Sequence, residues 1–396
     1  MKSTESSGTR RISIFDTTLR DGEQAPGNAM SATQKLELAL AIEAAGVDII
    51  EVGFPNSSHS DFAALQLVSK ALTTARFASL CRASRADIQA AVDAGGVHRH
   101  QVQILATGSD VHMEHKRGIT RAEGIQEAAE ALRFARSLGL TDLSLGLEDS
   151  SRGADDLVRP LIDASLAEGA TTVVLCDTTG HMVPSEFGEH VAKVRSWVTD
   201  DITVSTHCHD DMGLSLANAL AGIEAGADQV QATVSGIGER AGNTPLEELA
   251  AVLVYKGHRF GARTSIRTED LNDIFGLLRR TIGLEPLRNK AIFGENAFAT
   301  LAGIHQAGML RNPITYEYVE PEKFGRRRSL LVGRHSGRAV LRHVFGQLHV
   351  PWDEGRVQKF YDDHIAGQRD GEFTSMDELT RTLSEEILSN VGSAEA

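Results

Sequence analysis

Eight short apolar runs, each followed by a stretch with helical periodicity, predict an α/β fold, a (β/α)8 barrel over residues 12–262 of this 396-residue chain. The runs are 12–16, 48–53, 76–81, 100–106, 142–147, 172–177, 202–206 and 229–235. Amphipathic stretches separate them, among them 33–45, 121–138 and 214–225. Gly46, Gly139, Gly169 and Gly226 stand just past helices, where a left-handed C-cap favours glycine. A doubly wound open sheet has the same alternation. No G-x-G-x-x-G follows the first run, which counts against its dinucleotide-binding form.

After residue 261 the pattern changes. A helix is expected over 266–282, then Gly-, Pro- and Asn-containing segments to 325, then helices over 336–348, 353–367 and 376–390. The expected organisation is a polar tail (1–11), the catalytic barrel (12–262), a helical subdomain (263–325) and a helical C-terminal subdomain (326–396). The barrel is thus followed by a mainly helical C-terminal extension, with a joint near 323–328.

Hydrophobic content of 41% and charged content of 24% describe an ordinary globular protein. No apolar run approaches the roughly 18 residues of a membrane span, and the N-terminus lacks an apolar signal core. Cys81, Cys176 and Cys208 are odd in number and far apart, which argues for a reducing compartment and against a disulfide framework. A cytoplasmic location is expected. The net charge of −14 disfavours nucleic acid and anionic membrane as partners. Against it stands one basic run, Arg326-Arg327-Arg328, which reads as a solvated loop or as a contact for a phosphate-bearing ligand.

The stretch that organises the chemistry is Ile202-Thr203-Val204-Ser205-Thr206-His207-Cys208-His209-Asp210-Asp211. Alternate side chains on a strand leave the same face, so His207 and His209 point together. Barrel enzymes collect their chemistry where strands exit into βα loops. Those exits carry Asp16, Arg20, Asp21, Glu23 and Gln24 after the first run and Glu51 in the second. Glu148 and Asp149 end the fifth, Asp177 and Thr178 the sixth, and Glu239 to Asn243 follow the eighth. A divalent cation would balance such crowded carboxylates. His207, His209 and Asp21 make a two-histidine, one-carboxylate face, with Asn243 as a fourth ligand, suited to magnesium, manganese or zinc. A 2-oxo acid could chelate such an ion through its carbonyl and one carboxylate oxygen. Arg20 could then hold the oxygen that becomes an alkoxide. Thr178 either bonds the substrate carboxylate or caps the next helix.

Together, Phe15-Asp16-Thr17-Thr18-Leu19-Arg20-Asp21-Gly22-Glu23-Gln24, His207-x-His209 and Gly238-Glu239-Arg240-Ala241-Gly242-Asn243 resemble the acetyl-CoA-dependent alkylmalate synthases. That family of metal-dependent Claisen-type TIM barrels includes 2-isopropylmalate synthase and homocitrate synthase, and the likeness runs from Ile12 to Gly337. It implies an acyltransferase in which a divalent metal binds a 2-oxo acid, the methyl of acetyl-CoA attacks the keto carbon, and the thioester is hydrolysed. By motif, Asp21, His207, His209 and Asn243 match the metal positions, and Arg20, Glu148, His305 and Tyr316 the catalytic ones. Gln24, Glu51, His112, Gly146, Val174 and Thr178 are the expected substrate positions. Arg334, His335 and Ser336 resemble a segment on the CoA side. The segment carrying His305 and Tyr316 serves a neighbouring subunit in this family, which implies a homodimer with shared active sites.

His112-Met113-Glu114-His115-Lys116 and Gly53-Phe54-Pro55 resemble bacterial 2-isopropylmalate synthases, whereas Glu148-Asp149-Ser150-Ser151-Arg152 is nearer to homocitrate synthases. Gly146 stands where the former usually have serine, and Val174 and Cys176 where an Asn-x-Pro pattern is usual. The implied product is a 2-alkylmalate of the isopropylmalate type. The alternatives are homocitrate or a specialised 2-substituted malate, including one from a phosphorus-bearing oxo acid. A metal-dependent lyase acting on an acyl-CoA or 2-hydroxy acid is the reading from another class, and a ligand-sensing relative without catalysis is a third. No β-rich leucine-binding regulatory domain is expected after the helical extension, so leucine is not expected to inhibit.

Overall fold

The computed structural model describes residues 9–334, 336–369 and 371–392. The chain divides into two compact units, Met1–Glu285 and Pro286–Ala396.

The first unit is a closed barrel of eight parallel strands, β1 (Ser13–Asp16), β2 (Ile49–Gly53), β3 (Arg76–Arg82), β4 (His100–Thr107), β5 (Asp142–Glu148), β6 (Thr172–Asp177), β7 (Thr203–Cys208) and β8 (Gln229–Ala232). Pairing of Phe15 with Ile49 on one side of β1 and of Ser13 with Gln229 on the other closes the ring. The intervening helices are α1 (Ala32–Ala44), α2 (His59–Ala71), α3 (Arg85–Gly95), α4 (Arg121–Ser137), α5 (Asp155–Ala167), α6 (Pro184–Arg195) and α7 (Ser215–Glu224), with α8 (Leu246–Lys256) after β8. Ser31, Ser58, Ser84 and Thr120 accept N–H bonds at the starts of α1 to α4, each stabilising its helix by about 1 kcal/mol. The four expected C-cap glycines all have positive φ, between 90° and 111°.

Apolar strand residues such as Val102, Ile104, Leu143, Leu145, Val173 and Val204 join the buried layer shared with the helices. The alternate positions are polar yet buried, including Gln101 and Gln103 of β4, Ser144 of β5, Ser205 of β7, and Gln229 and Gln231 of β8. Two boundaries differ from expectation. Strand β7 continues through Cys208, because Cys176 and Asp177 of β6 pair with His207 and Cys208. At the N-terminus, Arg10 and Arg11 belong to a short parallel pair with Ala262–Arg263 rather than to a free tail. The Arg10 guanidinium fixes this pair by donating to Asp228 and to the carbonyls of Gly226 and Ile223. The helix expected over 266–282 is shorter: one 3-10 turn, Thr268–Asp270, precedes α9 (Leu271–Ile282), and Arg267 N is engaged by Ala45 O.

The second unit holds α10 (Gly303–Arg311), α11 (Ala339–Gln347), α12 (Glu354–Tyr361), which runs into a π-helical turn, and α13 (Met376–Gly392). It also holds a three-stranded sheet that the sequence reading did not foresee, β9 (Ala299–Thr300), β10 (Ser329–Val332) and β11 (Thr374–Ser375). Residues 286–325 and 326–396 lie in one unit: Arg326 donates to the carbonyls of Ile292, Phe293 and Gly294, and β10 pairs with β9. Helix α11 starts at Ala339 rather than 336, because the Ser336 hydroxyl bonds the carbonyls of Leu301 and Leu331. Among the described residues no helix is long and apolar enough to cross a membrane.

Candidate active site at the barrel mouth

The loop after β1 is fixed by its own threonines. Asp16 accepts from the Thr18 backbone (3.0 Å) and hydroxyl (3.0 Å), and the Thr17 hydroxyl donates to Glu51 (2.6 Å). Burial pushes the Asp16 carboxyl up to about 7, against those bonds from Thr18. This framework delivers Arg20 and Asp21 side by side. The Arg20 guanidinium donates to Glu51 at 2.7 Å and to Asp21 at 2.9 Å. Burial opposes its charge, but Glu51 and then Asp21 hold it firmly protonated.

Two strands away around the ring, the end of β7 brings up the two imidazoles. The Nε2 atoms of His207 and His209 are 3.2 Å apart and lie 3.4 and 4.0 Å from Asp21 Oδ2. One candidate ligand atom from each of the three residues falls within 4.8 Å of the others, and all three residues are buried. Burial also disfavours charge on Asp21, yet Arg20, His207 and His209 hold its carboxyl well below the usual range. Burial, followed by the neighbouring His207, pushes His209 down to about 4. A carboxylate beside a neutral imidazole is the donor set a divalent cation needs.

Asn243 completes the floor. Its Nδ2 donates to Asp21 Oδ1 at 3.0 Å, while its Oδ1 is buried without a partner. Two glycines allow this approach. A Cβ on Gly238 would lie 2.0 Å from Asn243 Nδ2, and one on Gly242 (φ +98°) would lie 1.9 Å from the Gly236 carbonyl. The orphaned amide oxygen, the two facing imidazoles and the charged Asp21 together fit a cation.

Beside this floor is a cavity of about 360 Å³ lined by Arg20, Asp21, Gln24, Glu148, Thr178, His207 and His209 among others. Both Glu148 oxygens are held by Lys116, at 2.6 and 2.7 Å. His112 lies 3.5 Å from Glu148 and 3.7 Å from Asp149. Thr178 accepts from the Asp149 backbone N–H (2.8 Å) rather than capping α6, whose flanking residue is Val183. Glu51 is buried beneath Arg20. Gly146 and Val174 are buried and are not part of the cavity lining, and a Cβ on Gly146 would be 3.4 Å from Gln103 Cγ. Residues the sequence reading missed also line the cavity, notably Gln103, Arg82 and Lys116. The signal for Gln103 was a glutamine inside an apolar run, and for Lys116 its place in the His112-to-Lys116 motif.

The second unit carries the remaining candidates. His305 on α10 packs against Tyr316 with ring centroids 4.3 Å apart and planes tilted by 33°, and both are exposed. Arg334 is exposed, and Ser336 is buried with its hydroxyl on backbone groups. His335 lies outside the described residues. In the basic run, Arg326 is bound to backbone carbonyls and Arg328 to Glu317.

Residues 11–277 match the family model described as HMGL-like, and residues 292–368 match one described as homocitrate synthase post-HMGL domain-like. The 2-isopropylmalate synthase of Xanthomonas oryzae pv. oryzae is 40% identical over 372 residues, covering 92% of this chain and 71% of that protein. That of Shouchella clausii is 38% identical over 359 residues, covering 89% and 69%. Among solved structures, the hydroxymethylglutaryl-CoA lyase of Pseudomonas aeruginosa superposes with a TM-score of 0.60 at 20% identity. The match covers 70% of this chain and 95% of the lyase, and at that identity it bears on the fold alone.

Proposed function

The chain belongs to the HMGL-like family as an acyltransferase of the alkylmalate synthase type, and from this we propose that it condenses acetyl-CoA with a 2-oxo acid. In the proposed reaction the acetyl methyl group loses a proton, a carbon–carbon bond forms to the keto carbon, and water cleaves the thioester to release CoA. The product is a 2-substituted malate of the isopropylmalate type.

The observation that carries this reading is the buried trio of Asp21, His207 and His209 beside Arg20 on the floor of one cavity. A divalent cation held by those three residues, with the Asn243 oxygen as a fourth ligand, would supply Lewis acidity toward a ketone. Manganese, magnesium and zinc all suit the set. Arg20 is locked by Glu51 and Asp21, so its remaining N–H groups are pre-aimed at an oxygen that gains charge. Glu148 is the proton-transfer group at the mouth. By family resemblance His305 and Tyr316 act with it from a partner subunit. Exposed Ile304 (82%) and Ile314 (77%) beside them fit a homodimer contact.

A homocitrate-type product is the second reading, favoured by the match of residues 292–368 and by Glu148-Asp149-Ser150-Ser151-Arg152. The test is release of free thiol from acetyl-CoA with manganese or magnesium and a panel of 2-oxo acids. A branched-chain acid giving the highest kcat/KM supports the first reading and 2-oxoglutarate the second. No thiol with any acid overturns both.

A further inference from the structure

A chain of side-chain amides crosses the barrel lumen beneath the cavity. His207 Nδ1 is 2.9 Å from Gln231 Oε1, and Gln231 Nε2 is 2.8 Å from Gln103 Oε1. Gln231 belongs to β8 and Gln103 to β4, strands on opposite sides of the ring, and both residues are buried. An amide oxygen only accepts, so each bond has one direction. Nδ1 of His207 must carry a hydrogen, which makes Nε2, the atom that faces Asp21 and His209, the one that would meet a cation. Gln231, with its oxygen on His207, offers only N–H groups to Gln103. Gln103 therefore turns its oxygen toward Gln231 and keeps its N–H groups for the cavity it lines. Gly146 leaves room for this side chain, since an added Cβ would already touch Gln103 Cγ and Cδ at 3.4 and 3.6 Å.

We propose that Gln103 is a substrate-binding residue whose amide N–H meets an oxygen of the 2-oxo acid, and that Gln231 is the positioning residue that orients both Gln103 and His207. This rests on the proposed reading of the cavity as a 2-oxo acid site. An N–H aimed into a mostly buried site favours ligands that bring it an acceptor and disfavours those that do not. Outer partners that fix a ligating histidine affect metal affinity about 10- to 100-fold. The relay thus joins two selections, one for cation and one for substrate.

Two binding measurements, neither requiring turnover, test it on the full chain. Mn2+ affinity is read from the EPR signal of free ion. Affinity for 2-oxoglutarate and 2-oxoisovalerate is read by calorimetry on Mn2+-loaded protein without acetyl-CoA. Gln231→Leu should weaken Mn2+ about 10- to 100-fold. Gln231→Glu keeps an acceptor for His207 but loses the N–H for Gln103. It should therefore hold Mn2+ within about threefold of the parent while binding oxo acid at least about tenfold more weakly. Gln103→Leu should show the same pattern as Gln231→Glu. Loss for both acids places the contact on the shared 2-oxo acid head, and loss for 2-oxoglutarate alone places it on the side chain. The proposal is overturned if Gln231→Glu loses Mn2+ as badly as Gln231→Leu. It is equally overturned if Gln103→Leu leaves both acids within about twofold, or if the Mn2+-loaded parent binds neither. A parent that binds an acid but releases no thiol sinks the condensation and leaves the relay standing.

Discussion

Both ends of the barrel hold histidines and carboxylates, but they engage them differently. At the end where the strands begin, His100 has both nitrogens occupied, Nε2 by Ser79 (2.8 Å) and Nδ1 by the Gly96 carbonyl (2.7 Å). Asp228 meets Arg10 (2.9 Å), Arg195 (3.0 Å) and the Val204 N–H (3.1 Å). Glu43 caps three successive backbone N–H groups at 73–75. At the mouth, buried atoms of the same kinds lack partners: His209 Nδ1, Asn243 Oδ1 and Glu51 Oε1. The base has orphans too, Gln101 Oε1 and Gln229 Oε1, but these are neutral oxygens, cheaper to desolvate than a carboxylate. The difference separates structural from chemical use of one residue type. A histidine with two partners holds a fold together, and a histidine with one is available to a ligand.

The contrast breaks first at Asp21. Asp21→Asn keeps the shape and removes the charge that the two imidazoles and Arg20 surround. Thiol release should fall at least about 10³-fold. Thermal stability should change little, because Arg20 keeps Glu51. A variant retaining a tenth of parental turnover would show that the trio is not the reactive centre.

At the base the balance should reverse. Asp228→Ala strips a partner from Arg10, Arg195 and the Val204 N–H, and should cost about 1–3 kcal/mol, less where water reaches its half-exposed partners. Urea unfolding measures the loss, while kcat per folded molecule should stay within about twofold. A large drop in kcat with unchanged stability would erase the distinction between the two ends.

These two sites also mark what a sequence can reveal. The barrel was legible because eight apolar runs bury both faces of their strands, and the trio because i, i+2 histidines share a strand face. Gln103 and Gln231 were not, since their partnership spans 128 residues and depends on ring closure, which no local pattern encodes. The sheet of the second unit was invisible for another reason: strands of two and four residues are too short to show a period of two. For Thr178 the cap and the substrate contact read equally well from sequence, and only the ring shows that its hydroxyl accepts from the Asp149 N–H instead of capping α6.

Acid sharpens the comparison more gently. Burial pushes His100 down to about 4 from an ordinary 6.5, so the unfolded chain takes up a proton that the folded base refuses. The stability this contributes is complete above 6.5 and is lost as pH falls toward 4, by about 2 kcal/mol at pH 5. His190, also pushed down to about 4 by burial, acts in the same direction. Asp16, raised to about 7, acts oppositely, gaining stability as pH falls from 7 toward 3.8. His100→Asn isolates the first effect, since the other two groups remain. Its stability deficit relative to the parent, measured by urea unfolding, should shrink by about 2 kcal/mol between pH 7 and pH 5. A constant deficit would mean that His100 is protonated inside the fold.

The smallest effect is expected at Gly146, where the wall of the mouth meets the packing of the strands. An alanine there places its Cβ 3.4 Å from Gln103 Cγ and 3.5 Å from Leu105 Cδ1, ordinary contact distances. Gly146 is not among the glycines with positive φ, so its backbone suits an L-residue. Gly146→Ala should then stabilise the barrel by roughly 0.4–1 kcal/mol, by restricting the unfolded chain. The same methyl sets a floor under Gln103, and the ratio of kcat/KM between two oxo acids should move by about threefold without loss of metal binding. Gly153 supplies the control in the same loop system. A Cβ there would lie 2.1 Å from the Gly108 carbonyl, so Gly153→Ala should destabilise and leave the substrate ratio of the folded fraction unchanged. If instead Gly146→Ala lowers stability and Gly153→Ala shifts the ratio, Gln103 is not the surface through which this wall meets the substrate.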